Sequence, residues 1–459
     1  MSPTFDTLGL SSALQAVVSE LGYKTPTPIQ AESIPMLLAG KDLIAQSKTG
    51  SGKTAAFALP ILQALELKTR ELQALIICPT RELAAQVARE MRKLGRSHKG
   101  LAILEIVGGQ PARRQTDALE RGVHVAVGTP GRLLDHLQRG TLHSHRLVTV
   151  VLDEADRMLD MGFGADVESI LRQVPQKRQT VMLSATFPAT IESMGRRHQR
   201  NAERVTIADS DAPTLRQFYV ECEQDKKVLA LYRAMQDYPH ESALIFCNFK
   251  ATVSALALEL AKADFSVDRL DGDLEQFDRD QVLAKFRNQS VRLLIATDVA
   301  GRGIDVEDLE LVVNYELPVD PNIYVHRIGR TARAGRAGIA VSLITSREVS
   351  KIEAIEQAQS ESVVRASQNT EAIDVRALAR EAKMQTILIS GGRKDKVRPG
   401  DILGALTGEA AGLHGDDIGK IEIQDRLSYV AVSRNVGRQA TKGLNGGQIK
   451  GKRFKATLL

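Results

Sequence analysis

Through residues 1–350, short β-rich apolar runs alternate with stretches whose apolar residues recur every three or four positions. The runs at 42–46, 74–78, 103–107, 123–127, 148–152 and 180–183 predict strands, and the patterns at 54–66 and 81–94 predict helices between them. Strands alternating with helices imply a parallel sheet with crossover helices. The rhythm restarts after about residue 208, with runs at 243–246, 266–270, 293–296, 311–314 and 338–343. Asp209-Ser-Asp-Ala-Pro213 between the two series is polar and turn-rich, and predicts a linker. A charged helical stretch from 346 to about 383 leads to a third set of runs at 386–390, 420–424, 428–433 and 454–458, with helical patterns at 399–406 and 436–444. That order, β-α-β-β-α-β, is the order of a small ferredoxin-like or RRM-like unit. The predicted fold class is therefore α/β. Two tandem parallel-sheet domains (1–208 and 214–360, joined by 209–213) precede a connector at 361–384 and a small α+β, RRM-like domain at 385–459.

Composition narrows the classes. With 43% hydrophobic and 25% charged residues the chain of 459 residues is an ordinary globular mixture, which excludes wholesale disorder. The longest apolar runs fall far below the ~18 residues of a membrane span, and the start MSPTFDTLGL has no basic segment followed by an apolar one, so no secretory signal is expected. Cys78, Cys222 and Cys247 are too widely spaced for a metal pattern or a disulfide framework, and a reducing, cytoplasmic setting is the expectation. Charge is uneven. Residues 385–459 hold 13 Lys and Arg against 7 Asp and Glu, whereas the rest of the chain holds 48 against 49. A basic patch confined to one end of a chain usually meets phosphate, and nucleic acid is the favoured partner over a merely soluble basic surface.

Two segments carry phosphate chemistry. Lys48-Thr-Gly-Ser-Gly-Lys-Thr54 follows a predicted strand and opens a predicted helix. In that context Gly50, Ser51 and Gly52 let backbone N–H groups close around phosphates, Lys53 neutralises the β and γ oxygens, and the Thr54 hydroxyl suits Mg²⁺. The usual first glycine of such a loop is Ser47 here. Asp153-Glu-Ala-Asp156 follows the run 148–152, and carboxylates at the end of a parallel strand sit where α/β sheets bind ligands. Asp153 suits Mg²⁺, and Glu154 suits orienting and deprotonating an attacking water.

These and further motifs resemble those of the DEAD-box RNA helicases, over both α/β domains. The motifs stand as Gly22-Tyr-Lys-Thr-Pro-Thr-Pro-Ile-Gln30, the loop at 47–54, Pro79-Thr-Arg-Glu-Leu-Ala84, Gly108-Gly109, Thr129-Pro-Gly-Arg132, 153–156 and Ser184-Ala-Thr186. They continue as Gln276-Phe-Asp-Arg279, Ala296-Thr-Asp-Val-Ala-Gly-Arg-Gly-Ile-Asp305 and His326-Arg-Ile-Gly-Arg-Thr-Ala-Arg333, in the family's order. The resemblance implies two RecA-like domains and an RNA-dependent ATPase that uses ATP and Mg²⁺. It implies that Gln30 reads adenine through its amide, with Tyr23 stacked on the base and Phe5 behind it, and that Asp305 meets the ribose. Arg330 and Arg333 would be arginine fingers, worth about 10³–10⁵ in rate. Ala332 stands where the family more often has Gly, with little effect expected. Ser184 and Thr186 would couple hydrolysis to domain movement through hydrogen bonds to Asp156. RNA, held mainly by its sugar-phosphate backbone, would meet Thr80, Arg81, Gly109, Thr129, Arg132, Arg279 and Thr297.

The C-terminal segments Ser390-Gly-Gly-Arg-Lys-Asp-Lys-Val-Arg-Pro-Gly-Asp-Ile-Leu403 and 419–426 are similar to the DbpA-type bacterial branch of that family. The resemblance implies an RRM-like domain that grips a hairpin of large-subunit ribosomal RNA and brings the helicase to pre-ribosomal particles. The third strand reads Arg426-Leu-Ser-Tyr-Val-Ala-Val432, with Tyr429 alone where stacking aromatics would cluster. Binding is therefore expected through the basic late segment (Arg434, Arg438, Lys442, Lys450, Lys452, Arg453 and Lys455) rather than by stacking. The expected enzyme is a monomeric RNA helicase that melts short duplexes during large-subunit assembly. An ATP-gated clamp would not need Asp153, Glu154, Arg330 and Arg333 together, and a DNA helicase is disfavoured by Gln30 beside the DEAD and SAT motifs.

Overall fold

The computed structural model describes residues 4–47, 51–184, 186, 189–207, 215–298, 309–332, 337–359, 361–366 and 372–459. The chain divides in sequence at residues 211/212 into two compact units, and the second unit holds both the second large sheet and the C-terminal sheet.

The first unit is built on seven parallel strands: β1 Leu43–Gln46, β2 Ala74–Ile77, β3 Ile103–Ile106, β4 Val125–Gly128, β5 Thr149–Leu152, β6 Gln179–Ser184 and β7 Glu203–Thr206. Their order is β3-β4-β2-β5-β6-β1-β7. β2, β4 and β5 are buried along their whole length, the signature of a sheet covered by helices on both faces. One apolar cluster lies on each side of the sheet: Phe57, Ile76 and Val151 belong to one, and Leu75, Leu133 and Ile170 to the other. Helix Arg81–Leu94 shows how the sequence enforces this. Leu83, Ala84, Val87, Ala88, Met91 and Leu94 recur at helical spacing and are buried, while Arg89 and Arg92 lie outside that stripe.

The second unit repeats the plan with β8 Leu215–Glu221, β9 Ala243–Cys247, β10 Val267–Leu270, β11 Leu293–Thr297, β12 Leu311–Asn314, β13 Gly338–Ile344 and β14 Val364–Arg365, in the order β10-β11-β9-β12-β13-β8-β14. All of its pairs are parallel. The last sheet is antiparallel, with β15 Met384–Ile389, β16 Ile418–Ile423, β17 Ser428–Ser433 and β18 Ala456–Leu458 in the order β16-β17-β15-β18. Helices Pro399–Thr407 and Gly437–Gly446 complete the β-α-β-β-α-β order expected of it. The fold class follows the sequence expectation, with local shifts: β16 starts two residues earlier than predicted and β18 begins at Ala456 rather than 454.

Three strands have no counterpart among the sequence-derived runs: β7, β8 and β14. Each interleaves charged or polar residues with few buried ones, so none shows a continuous apolar run. β14 pairs Val364 with Phe218, so part of the stretch 361–384 belongs to the second sheet.

Two histidines of the first unit are wholly buried. His136 sits between the Thr141 hydroxyl (2.7 Å) and the Gln115 amide oxygen (3.0 Å), and the Ala102 N–H donates to His124 Nδ1. Burial pulls both imidazoles below their usual pKa. Below about pH 6.5 the unfolded chain then binds protons that the folded one refuses, so stability falls with pH through that window. His136→Gln is expected to lose less of its thermal midpoint than the wild type between pH 7.5 and pH 5.5; the same loss in both proteins would exclude this group.

Candidate active site and RNA surface

Because the first sheet is wholly parallel, the C-terminal ends of its strands share one edge, where ligands of α/β sheets bind. The motifs sort along that edge into two neighbouring groups. The loop after β1, the acidic turn after β5 and Ser184 at the end of β6 stand on the adjacent strands β5-β6-β1. The turns at 79–84, 108–109 and 129–132 follow the adjacent strands β3-β4-β2.

In the first group, helix Lys53–Ala64 opens at Gly52, whose φ is +91°. A Cβ there would fall 2.4 Å from Gln30 Nε2, so only glycine fits both the dihedral and the space. Gln30 donates its amide to the Gly52 carbonyl at 3.1 Å and accepts from the Thr27 N–H at 3.0 Å, which ties the expected adenine reader to the phosphate loop. Lys53 is buried, with Nζ 2.5 Å from the Ser47 carbonyl, and the Ser47 and Ser51 hydroxyls share a hydrogen bond. Gly50 lies outside the described residues. Tyr23 stands edge-on to Phe5 (ring centroids 6.1 Å apart, planes at 86°) and donates its hydroxyl to Glu90 at 2.6 Å.

The turn after β5 is sharp. Glu154 adopts φ 52° and ψ 55°, a left-handed conformation that a non-glycine residue holds only where its surroundings enforce it. Its carboxylate pairs with the buried Arg157 guanidinium. The Asp153 carboxyl is 3% exposed; burial above all, and then the neighbouring Glu154 charge, push its pKa up to about 7, while Lys53 pulls the other way. Asp156 Oδ2 accepts from both the Thr186 N–H (2.8 Å) and hydroxyl (2.9 Å), the Asp156 N–H donates to Ser184 Oγ (3.3 Å), and that hydroxyl donates to the Thr186 carbonyl (2.6 Å). The structure thus brings together the three residues expected to couple. The buried Asp153 carboxylate is a hard-oxygen donor of the kind Mg²⁺ takes, one or two to a site, with phosphates and water completing its shell. No three His, Cys, Asp or Glu among the described residues gather to hold a metal ion.

In the second group Thr80 caps helix Arg81–Leu94, its hydroxyl accepting from the Leu83 N–H. Arg81 lies against Gly108 and Gly109, and a Cβ at Gly109 (φ +76°) would fall 2.3 Å from Arg81 Nη1. Arg132 reaches the Gln110 carbonyl and Gln115 Oε1, both at 3.4 Å. Gln115, buried, also donates to the Val107 carbonyl and meets His136, so a buried polar network underlies the turns after β3 and β4. Sequence reasoning missed Gln115, His136 and Glu90, which belong to no motif.

In the second unit Thr297 ends β11 and Arg279 donates to the Asp271 carbonyl at 3.1 Å; both are buried. Asp305 and Arg333 lie outside the described residues. Arg330 is 3% exposed, and Arg327 is the most buried of the motif's described arginines at 1%. Arg327 spends every donor inside the unit: Nε and Nη2 on the two Asp298 oxygens (2.6 and 2.7 Å), Nη2 also on Asn248 Oδ1 (2.7 Å), and Nη1 on Asn314 Oδ1 (3.2 Å) and the Glu316 carbonyl (2.6 Å). It thereby ties together the ends of β9, β11 and β12. Ala332 holds φ 56°. The left-handed region costs a residue with a Cβ about 1–2 kcal/mol, against about 0.5–1 kcal/mol for glycine's extra entropy. Ala332→Gly is expected to raise stability by about 0.5 kcal/mol with ATPase unchanged, read from paired denaturation curves and turnover.

The chain matches the DEAD/DEAH box helicase family over residues 27–194, the helicase conserved C-terminal domain over 226–335 and the DbpA RNA binding domain over 386–458. It is 46% identical over 457 residues to the ATP-dependent RNA helicase DbpA of Escherichia coli, covering 99% of each chain. The chain belongs to the DEAD-box ATP-dependent RNA helicases. It is also 44% identical to the helicase CshA of Geobacillus kaustophilus, covering 77% of this chain and 76% of that one. Among solved structures it is similar to Saccharomyces cerevisiae Dbp5 bound to RNA and ADP BeF3, with a TM-score of 0.71, 31% identity and coverage of 79% of this chain and 95% of that one. Only the first of these relatives extends across the C-terminal domain, so membership of the helicases rests on both large sheets and likeness to DbpA on all three. No helix among the described residues is long and apolar enough to cross a membrane.

In the C-terminal domain Arg438, Lys442, Lys450, Lys452, Arg453 and Lys455 are exposed. Arg434 is half-buried instead and donates Nε to the Ala382 carbonyl at 2.6 Å, beside Glu381.

Proposed function

We propose that this helicase melts short RNA duplexes during assembly of the large ribosomal subunit, directed there by its C-terminal domain. The reading rests on one observation above the rest, the sorting of motifs into two adjacent groups along one sheet edge. Nucleotide chemistry at β5-β6-β1 and RNA chemistry at β3-β4-β2 then stand side by side, because β5, which leads to the acidic turn, pairs with β2, which leads to Thr80 and Arg81.

In this reading Gln30 selects adenine, with Tyr23 and Phe5 at the base and Asp305 at the ribose. Lys53 and the amides of Gly50, Ser51 and Gly52 hold the phosphates. Thr54 and Asp153 would hold Mg²⁺, which neutralises charge on the β and γ phosphates. Glu154, aimed by its left-handed turn and by Arg157, takes a proton from the attacking water, and Arg330 and Arg333 stabilise charge on the transferring group. Asp156, Ser184 and Thr186 pass the state of the nucleotide to the RNA side. Thr80, Arg81, Gly109, Thr129, Arg132, Arg279 and Thr297 grip one strand by its backbone. Arg438, Lys442, Lys450, Lys452 and Arg453, with Arg434 as an anchor at their edge, meet the phosphates of a ribosomal RNA hairpin. The enzyme works as a monomer in the cytoplasm.

Steady-state ATP hydrolysis without RNA, with an arbitrary RNA and with large-subunit ribosomal RNA tests the reading. Strong stimulation by ribosomal RNA, reduced to that of the arbitrary RNA when residues 385–459 are removed, is expected. Equal stimulation by every RNA would sink the targeting role and leave the helicase.

A further inference from the structure

Aromatic rings are scarce in this chain, at 4% of residues with no Trp, and the fold covers nearly all of them. Among the described residues the exposed rings are Phe249 and Phe277, at 65% and 47%. Neither joins the clusters of the second unit that bury Ile245, Val313 and Tyr324. Apolar side chains scattered singly over a surface are ordinary. These two share one edge of one sheet.

The second large sheet is wholly parallel, so the turns leaving its strands at their C-terminal ends line a single edge. Phe249 stands just beyond β9, at the start of helix Lys250–Lys262. Phe277 lies beyond β10, in the first turn of helix Gln276–Arg287, and β11, which ends in Thr297, runs between β9 and β10. Both turns are braced. Asn248 donates its N–H to Glu316 Oε2 (2.6 Å) and its side-chain amide to the Leu317 carbonyl (3.0 Å), and it accepts from Arg327 (2.7 Å). Lys250 pairs with Asp273 and lies against Gly272, which joins the turn after β9 to the turn after β10. The Asp273 N–H donates to Asp271 Oδ1 at 2.9 Å, and Arg279 holds the Asp271 carbonyl at 3.1 Å. The backbone beneath each ring is thus fixed by contacts that do not involve the ring.

Arg279 and Thr297 offer this edge a guanidinium and a hydroxyl, groups that meet phosphate and sugar and carry no sequence information. A phenyl ring offers neither charge nor hydrogen bond, but it can take the flat face of a nucleobase. A protein partner would ask for a patch whose centre is poor in charge. Here Phe249 is followed by the exposed Lys250, and Phe277 sits among the exposed Asp273, Glu275 and Asp278.

We propose that Phe249 and Phe277 are base-stacking sites of the second helicase domain, so that this chain holds its RNA strand by nucleobases as well as by backbone. The inference rests on the reading of Arg279 and Thr297 as RNA contacts. It gives a strand held by its backbone a modest dependence on sequence, because stacking strength differs between bases. Purines, with the larger face, are favoured at the two stacked positions.

The test uses the full-length enzyme, a non-hydrolysable ATP analogue and a short unstructured oligoribonucleotide in which each nucleotide in turn is made abasic. Wild type is expected to lose about tenfold in affinity at one abasic position for each ring. Phe249→Ala abolishes one of these losses and Phe277→Ala the other, and each variant binds the intact strand about tenfold more weakly. Phe249→Trp and Phe277→Trp restore both. The slope of log affinity against log salt stays at its wild-type value throughout, since no phosphate contact is removed. Wild type indifferent to base removal at every position would overturn the stacking. So would alanine variants that bind the intact strand as tightly as wild type, which would leave the rings to a protein partner. Alanine variants weakened equally on intact and abasic strands would overturn it too, by reducing the rings to supports of the backbone grip. A folded Arg279→Gln that keeps both the affinity and the salt slope of wild type would instead sink the backbone reading of this edge, whatever the abasic scan gives.

Discussion

Glu154→Gln is expected to slow RNA-stimulated ATP hydrolysis by about 10²–10⁴-fold, the usual contribution of a positioned general base, while ATP and RNA still bind. The substitution keeps size, and it keeps an oxygen that can accept from Arg157, so the left-handed turn at φ 52° has no reason to relax. What is lost is the capacity to take a proton. Asp153, Lys53 and Asp156 keep their places, and the raised pKa of Asp153 comes first from burial, which the substitution does not alter. The measurement is single-turnover hydrolysis beside equilibrium binding of nucleotide and RNA. A variant that hydrolyses ATP within a few-fold of wild type would remove Glu154 as the base. One that loses ATP binding would point instead to a purely structural Glu154–Arg157 pair.

Arg327→Ala is expected to destabilise the second unit by about 3–5 kcal/mol, the cost of stripping one partner from a buried pair. For a domain of this size that lowers the thermal midpoint by roughly 10 °C. The guanidinium's five donors all have acceptors, and removing it strands Asp298, Asn314 and Asn248 around a void under Phe246, whose ring lies 5.2 Å from it. Arg327→Lys is expected to recover little, since an ammonium cannot span acceptors set for a planar fork. Because Thr297 and Asp298 end the same strand region, RNA-stimulated turnover falls with stability. Calorimetry separates the two effects: an unchanged midpoint with lost turnover would mean that Arg327 works on a ligand and not on the fold.

The contrast between Arg327 and its neighbours shows where sequence reasoning stops. In His326-Arg-Ile-Gly-Arg-Thr-Ala-Arg333 the sequence reading gives roles to Arg330 and Arg333 and none to Arg327. Nothing local says that Arg327 is consumed by groups on three other strands, between 11 and 79 residues away in sequence. Asp156 is the opposite case. Its expected bonds with Ser184 and Thr186 are present, because both ends of that contact lie in motifs at the ends of adjacent strands. Gln115 and His136 were invisible for a simpler reason: they sit on two separate helices, and within either helix's pattern a buried polar residue looks like any other.

The alternation of apolar runs and helical patterns was enough to determine the α/β class, the restart of the pattern near residue 208 and the β-α-β-β-α-β order of the last domain, because periodicity records which side of each element meets the core. Motif chemistry was enough for the family, because the residues that cradle phosphate lie next to one another in the chain. Strand order was not, and it is strand order that gathers the motifs proposed to hold nucleotide at the ends of β5-β6-β1 and those proposed to hold RNA at the ends of β3-β4-β2. Tyr429 is the sharpest instance. In sequence it is the lone aromatic of a presumed RNA-binding sheet, and in the folded chain it is 0% exposed beneath Arg287 and Glu422. Burial of that kind is a property of two surfaces at once, and neither surface writes the other's position into its own pattern.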